Sequence, residues 1–168
     1  MAIKTSGIDH IHLNIPSLDR FLDLMTRLFE FEPGASALIH SIRARNASMR
    51  LTGAPAGQLF LDVFEPASPD SPVAQHMKER GASVSYISFR VDDIEEAAAH
   101  AARCGLREVS RVGFPGLMKQ VQFDTMDVLG FHLELVEYAP GHEAAIKEIQ
   151  RRLAAGEPVE GLTASRSF

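Results

Sequence analysis

The sequence predicts an α+β fold in which two βαβββ modules follow one another and a C-terminal helix comes after them. Three observations carry this prediction. The hydrophobic patterns run strand, helix and three strands, and then repeat in the same order. Residues 8–15 align without gaps on residues 84–91, and residues 61–65 on 133–137, so the repeat matches at both ends of each module. The 168 residues are 45% hydrophobic and 23% charged, an ordinary globular composition with enough apolar material for a core.

The elements follow in order. Residues 8–15 alternate as a strand, with Ile8, His10, His12 and Asn14 on one face and Asp9, Ile11, Leu13 and Ile15 on the other. Phe21, Leu22, Met25, Leu28 and Phe29 recur at helical spacing, with Ser17 or Asp19 available as the cap and Pro33-Gly34 as the stop. "ALIHSIRARNASMRLTG" reads as one or two strands around a turn at Asn46, and "QLFLDVFEP" as a strand closed by Pro66. A polar connector with a short helix at 72–80 leads to the second copy: strand "VSYISFRV", an Ala-rich helix from Asp92 or Asp93 to Gly105, then "REVSRVGF", "KQVQFDT" and "GFHLELVEY". Ile146, Ile149 and Leu153 form one stripe of a last helix, and fraying is expected from Glu157 onward. The boundaries are those of one domain over 1–168, with module one about 7–66, connector 67–83, module two about 84–138, helix about 140–154 and tail 155–168.

Bulk properties exclude several function classes. A net charge of −5 provides no basic field for nucleic acid. No apolar run approaches the ~20 residues that span a bilayer. The N-terminus lacks the apolar core of an export signal, and a lone Cys104 fits a reducing compartment, so the expected location is the cytoplasm.

Chemistry concentrates on the repeat. His10 and Tyr86 are equivalent positions, as are Asp62 and Glu134, and all four lie on strands expected to be buried. Glu134 sits between Leu133 and Leu135, where an unpaired carboxylate costs several kcal/mol and calls for a cation or a basic partner. His12 and His132 each lie two residues from one of these positions and face the same way along their strands. Either suits a metal ligand or an acid–base group near neutral pH. Arg43 and Arg45, in strand register, suit either a substrate anion or a solvated edge.

The segments "IDHIHLNI", "LDVFEPASPDSPVAQHMKERG", "YISFRVDDIEEAAAHAARCGL" and "VQFDTMDVLGFHLELVEY" together resemble the vicinal oxygen chelate superfamily of glyoxalases, bleomycin-resistance proteins and dioxygenases. Within it they are most similar to the methylmalonyl-CoA epimerase and glyoxalase-like branch. The resemblance implies a half-open barrel cleft with one divalent metal or iron (Zn, Co, Ni, Mn or Fe) on its floor. It puts His10, Asp62 and Glu134 at ligand positions and Tyr86 where relatives place histidine. It also implies a catalytic carboxylate from the region of "ALIHSIRARNASMRL", which here has no Asp or Glu and offers His40 instead. The expected acid–base set is therefore His12, His132, Tyr86 and His40. Tyr86 stands open as an iron ligand, an acid beside a three-residue metal site, or the mark of a lost metal.

The implied activity is a metal-dependent isomerase, epimerase or lyase acting on a small 2-oxo, hydroxycarbonyl or acyl-thioester substrate through an enolate-like intermediate. The alternatives are a non-catalytic ligand-binding protein with a degenerate metal site, or an iron-dependent dioxygenase. A small-molecule substrate and a homodimer are the expected partners.

Overall fold

A computed structural model describes residues 2–55 and 57–166. Ten strands form one sheet. The first module comprises β1 (Gly7–Asn14), α1 (Leu18–Leu28), the short β2 (Phe31–Pro33), β3 (Ser36–Ile39), β4 (Ala44–Leu51) and β5 (Phe60–Pro66). After α2 (Pro72–Arg80) the second comprises β6 (Ser83–Arg90), α3 (Ile94–Arg103), β7 (Arg107–Phe114), β8 (Met118–Asp124), the one-turn α4 (Met126–Leu129) and β9 (His132–Tyr138). The chain ends in α5 (His142–Ala154) and β10 (Leu162–Arg166).

The strand order is β10-β3-β4-β5-β1-β6-β9-β8-β7, with β2 beside β4. The modules meet where β1 and β6 run antiparallel, and each first strand pairs in parallel with the last strand of its own module. The registers repeat as well. His10 faces Phe60 and His12 faces Asp62, as Tyr86 faces His132 and Ser88 faces Glu134.

One face of the sheet buries α1 and α3, while Val73 and Met77 of α2 pack with Ala44 and Phe64 on the other. Leu18 and Leu22 of α1 pack on Ala47, Met49 and Val63, while Ile94, Ala97, Ala98 and Ala101 of α3 pack on Val121, Phe123 and Leu135. Ser17 and Asp93 cap these helices. At the end of each module a glutamate reaches the first turn: Glu65 accepts from the Leu18 amide at 3.1 Å and Glu137 from the Ile94 amide at 2.8 Å. A carboxylate at a helix N-terminus is favoured by the helix dipole and satisfies an otherwise orphaned donor. The opposite face, free of α1 and α3, carries the polar row described below. No helix among the described residues is long and apolar enough to cross a membrane.

Three local expectations are corrected. The turn in module one falls at residues 40–43, where Arg43 is left-handed (φ 47), and not at Asn46. Asn46 lies inside β4 because its amide has strand-borne acceptors, Asp62 Oδ1 at 2.8 Å and the Val63 carbonyl at 3.2 Å. Arg43 and Arg45 consequently do not share a face. Arg43 turns to Asp70, and Arg45 bonds Asp19 and Glu65 at 2.7 Å each. Finally, part of the tail is ordered. β10 pairs with the outer edge of β3, whose unpaired backbone groups would otherwise be exposed.

Candidate active site

The site is built where β1, β6 and β9 lie side by side. The β1–β6 register slips between Ile8 and His10, which leaves Asp9 as an extra, bulged residue. A bulge re-aims a side chain that strict alternation would send to the other face. Asp9 Oδ2 lies 2.7 Å from His10 Nδ1 and accepts from the Tyr138 hydroxyl at 2.8 Å. Asp9 Oδ1 accepts from Arg90 Nε at 2.9 Å and also from Arg90 Nη2. The second module repeats the device. β6 slips around Ser85, the position equivalent to Asp9, and Ser85 bonds Asn14, the position equivalent to Arg90.

Asp9 is buried, and burial works to raise its pKa. The hydrogen bond and charge of His10, followed by Tyr138 and Arg90, outweigh that and hold the carboxyl below its usual range. With Asp9 on Nδ1, the His10 Nε2 atom points inward. It lies 2.7 Å from His12 Nε2 and 3.3 Å from Glu134 Oε1, and His12 Nε2 is 3.5 Å from the same oxygen.

His10, His12 and Glu134 are all buried, and their ligand atoms lie within 4.8 Å of one another. Burial pulls the His10 pKa down, but Asp9 and Glu134 bonding to it, with the Asp62 and Glu134 charges, raises it to about 9. Glu134 has no exposure at all. Burial would raise its pKa, yet the His12 charge and the His10 and His12 bonds hold it far below the carboxylate range. Its two oxygens also accept from Gln120 at 3.1 Å and Gln122 at 2.7 Å. The result is a carboxylate kept ionised in the interior, aimed at two imidazoles.

Planar groups flank this centre. His10 stacks on Phe60 (4.8 Å), His12 on His10 (4.6 Å) and on Phe64 (5.2 Å). Tyr86 tilts against His12 at 5.3 Å and against His132 at 5.1 Å. Burial, then the Glu134 and Asp124 charges, push the Tyr86 phenol pKa up, so it is held as a neutral donor and not a phenolate. Two buried polar atoms among the described residues lack a hydrogen-bond partner: Ser88 Oγ, on the strand between His10 and Glu134, and His132 Nδ1, which is 3.7 Å from Asp124.

The structure therefore brings together His10, His12 and Glu134, with Tyr86 and His132 beside them. Asp62 stands next to this group as the cross-strand partner of His12, its Oδ1 held by Asn46 at 2.8 Å and Ser48 at 2.9 Å. His40 lies elsewhere, exposed on the turn after β3, with Nε2 2.8 Å from Thr163 Oγ1. Strands β4 and β5 separate β3 from β1. Sequence reasoning missed Asp9, Arg90 and Tyr138, because strand alternation assigned Asp9 to the core face. It missed Ser88 too. It missed Gln120 and Gln122 as well, although their spacing in "KQVQFDT" puts both amides on one face of a strand.

The model of the Glyoxalase/Bleomycin resistance protein/Dioxygenase superfamily matches residues 9–123. Among solved structures, the chain is similar to methylmalonyl-CoA epimerase from Mycobacterium tuberculosis (19% identity, 86% of this chain and 95% of that one, TM-score 0.72). It is also similar to a variant of the Streptomyces coelicolor methylmalonyl-CoA epimerase in complex with 2-nitronate-propionyl-CoA (23%, 80% and 98%, 0.69). A hypothetical protein from Bacillus halodurans C-125 has the same fold (20%, 77% and 92%, 0.67). No curated protein is similar enough to the chain to match.

Proposed function

This chain belongs to the glyoxalase, bleomycin-resistance and dioxygenase superfamily, and we propose from that premise that it is a metal-dependent isomerase of the epimerase type. The observation that carries the reading is the buried His10, His12 and Glu134 group, with its inward-facing Nε2 atoms and its ionised carboxylate.

The donor set fits a divalent metal. Two imidazole nitrogens and one carboxylate oxygen suit Zn, Co, Ni, Mn or Fe. Asp9 on His10 Nδ1 is the outer carboxylate that metal-binding histidines commonly have. The orphaned Ser88 hydroxyl, between two of the ligand strands, would be satisfied by an oxygen bound in the site. His10, His12 and Glu134 would hold the ion, and Asp62 adds negative charge beside them. A bound divalent ion supplies Lewis acidity, polarising a carbonyl that chelates it and acidifying the adjacent C–H.

The chain's own residues do the rest. His132, whose Nδ1 makes no hydrogen bond and lies 3.7 Å from Asp124 Oδ1, takes the proton from carbon, and Tyr86, kept neutral, returns one. Phe60 and Phe64 wall the centre against water and strengthen the electrostatics within it. His40, bonded to Thr163 at the outer edge of β3, takes no part in this mechanism.

The substrate class is a small 2-oxo acid, hydroxycarbonyl compound or acyl thioester. The two neighbours named as methylmalonyl-CoA epimerases support the thioester. The test is a pair of measurements on protein purified without chelator: metal content, and solvent deuterium exchange into methylmalonyl-CoA and into a panel of 2-oxo acids. Near-stoichiometric metal with exchange that His10→Ala abolishes is expected; exchange that survives His10→Ala overturns the reading. One observation favours a second reading. Two histidines and one carboxylate are also the set used by non-haem iron oxygenases, so iron content with substrate-dependent oxygen uptake would point there.

A further inference from the structure

Next to this centre the fold leaves one arginine without a counter-charge. The other arginines on β4 and β6 are ion-paired, Arg45 with Asp19 and Glu65, and Arg90 with Asp9. Arg50 makes no ion pair among the described residues, not even with Glu32, its cross-strand partner. Its hydrogen bond goes to the Gln58 carbonyl at 3.3 Å. The guanidinium lies 3.8 Å above the Phe60 ring, and that ring stacks on His10 at 4.8 Å. Arg50, Phe60, His10, His12 and Phe64 thus form one continuous stack, with a cation at one end and the candidate ligands within it.

A guanidinium stacked on a ring face keeps its N–H donors in plane, and it is already oriented before a ligand arrives. It lies two stacking steps from His10, through the Phe60 ring. Arg90 adds to the same field. A Cβ placed on Gly57, itself left-handed at φ 84, would come within 3.0 Å of Arg90 Nη1, while neighbouring Gln58 holds Arg50, so one turn leans on both cations. The Arg90 charge is balanced by Asp9 through Nε and Nη2, whereas Arg50 meets no carboxylate among the described residues.

We propose that Arg50 receives an anionic group of the substrate, a carboxylate or a phosphate, and thereby fixes the reacting carbon over His10, His12 and Glu134. This rests on the reading of the cleft as catalytic and narrows its substrates to anions. Bidentate, charge-assisted pairing is the strong form of such recognition. An uncharged analogue leaves the guanidinium unpaired and is rejected.

The test is calorimetric titration of succinate, inorganic phosphate and uncharged succinamide into metal-free protein, so that no carboxylate is captured by a metal. Wild type is expected to bind one of the anions and not succinamide. Arg50→Met, which keeps the apolar stem over Phe60, should lose at least tenfold in anion affinity, and Arg50→Lys should recover part of it. Preference for succinate assigns a carboxylate and preference for phosphate a phosphate; both support the inference. Equal affinity in wild type and Arg50→Met, or no binding of either anion, overturns it. Metal content of Arg50→Met, measured in parallel, should equal that of wild type. Wild type without metal would overturn the proposed function and not the anion site, since the titration is run metal-free.

Discussion

Replacing Asp9 by Asn tests how the site is held together. The Asp9 side chain is fully buried and takes four donor contacts: His10 Nδ1, the Tyr138 hydroxyl, and Arg90 through Nε and Nη2. An amide keeps the shape but turns one oxygen into a donor, which must face either Arg90 or the His10 and Tyr138 pair. Breaking a buried charge pair costs about 3–5 kcal/mol. Arg90 keeps 28% of its side-chain exposure, so water compensates in part, and the loss should be about 2–3 kcal/mol. For a chain of this length that lowers Tm by roughly 5–10 °C.

The more telling effect is on the metal. Outer-shell partners of a ligating histidine typically contribute 10- to 100-fold in metal affinity. Asp9→Asn should weaken zinc or cobalt binding by about that factor, read by competition with a chromophoric chelator. Tyr138→Phe, which removes one donor to Asp9 and leaves its charge, should weaken it far less. Metal affinity unchanged within twofold in Asp9→Asn would refute the positioning role and reduce the cluster to a structural ion pair.

Other outcomes follow from the same geometry. Tyr86→Phe should retain metal and lower kcat by about 10²–10⁴-fold, the usual contribution of a positioned acid; loss of metal would instead make Tyr86 a ligand. Ser88→Ala removes a buried hydroxyl that has no partner, so the metal-free protein should be about 1 kcal/mol more stable by urea denaturation, while the loaded protein gains less. His76, bonded to Ser83, has its pKa lowered from 6.5 by burial, then by the nearby His132 and Arg80 charges. The unfolded chain therefore binds that proton more readily, and stability falls as the pH drops below 6.5. His76→Gln should flatten that acid-side slope, and an unchanged slope would discount the assignment.

The fold was legible because the repeat is written twice. The match of residues 8–15 to 84–91 survives as a structural register, down to the equivalent bulges at Asp9 and Ser85. His10 and Glu134 were legible for a related reason, since polar groups in apolar strands stand out. What stayed hidden depends on contacts between distant segments. The bulge that turns Asp9 toward His10 exists only when β1 meets β6, and nothing in "IDHIHL" marks it. Asn46 looked like a turn residue because the carboxylate that holds it, Asp62, lies on a separate strand. The tail looked disordered because the edge it covers, β3, is formed more than a hundred residues earlier. Arg43 and Arg45 drew attention as neighbours in sequence, while Arg50 was distinguished only when the others proved to be neutralised.

X-ray absorption fine structure of the cobalt-loaded protein addresses the central claim most directly, because it counts imidazoles around the ion. Two imidazoles in the first shell are expected, falling to one in both His10→Ala and His12→Ala, with a carboxylate oxygen lost in Glu134→Gln. A shell with a single imidazole that His12→Ala leaves untouched would contradict it, placing the ion away from the three buried side chains on which the chemistry is built.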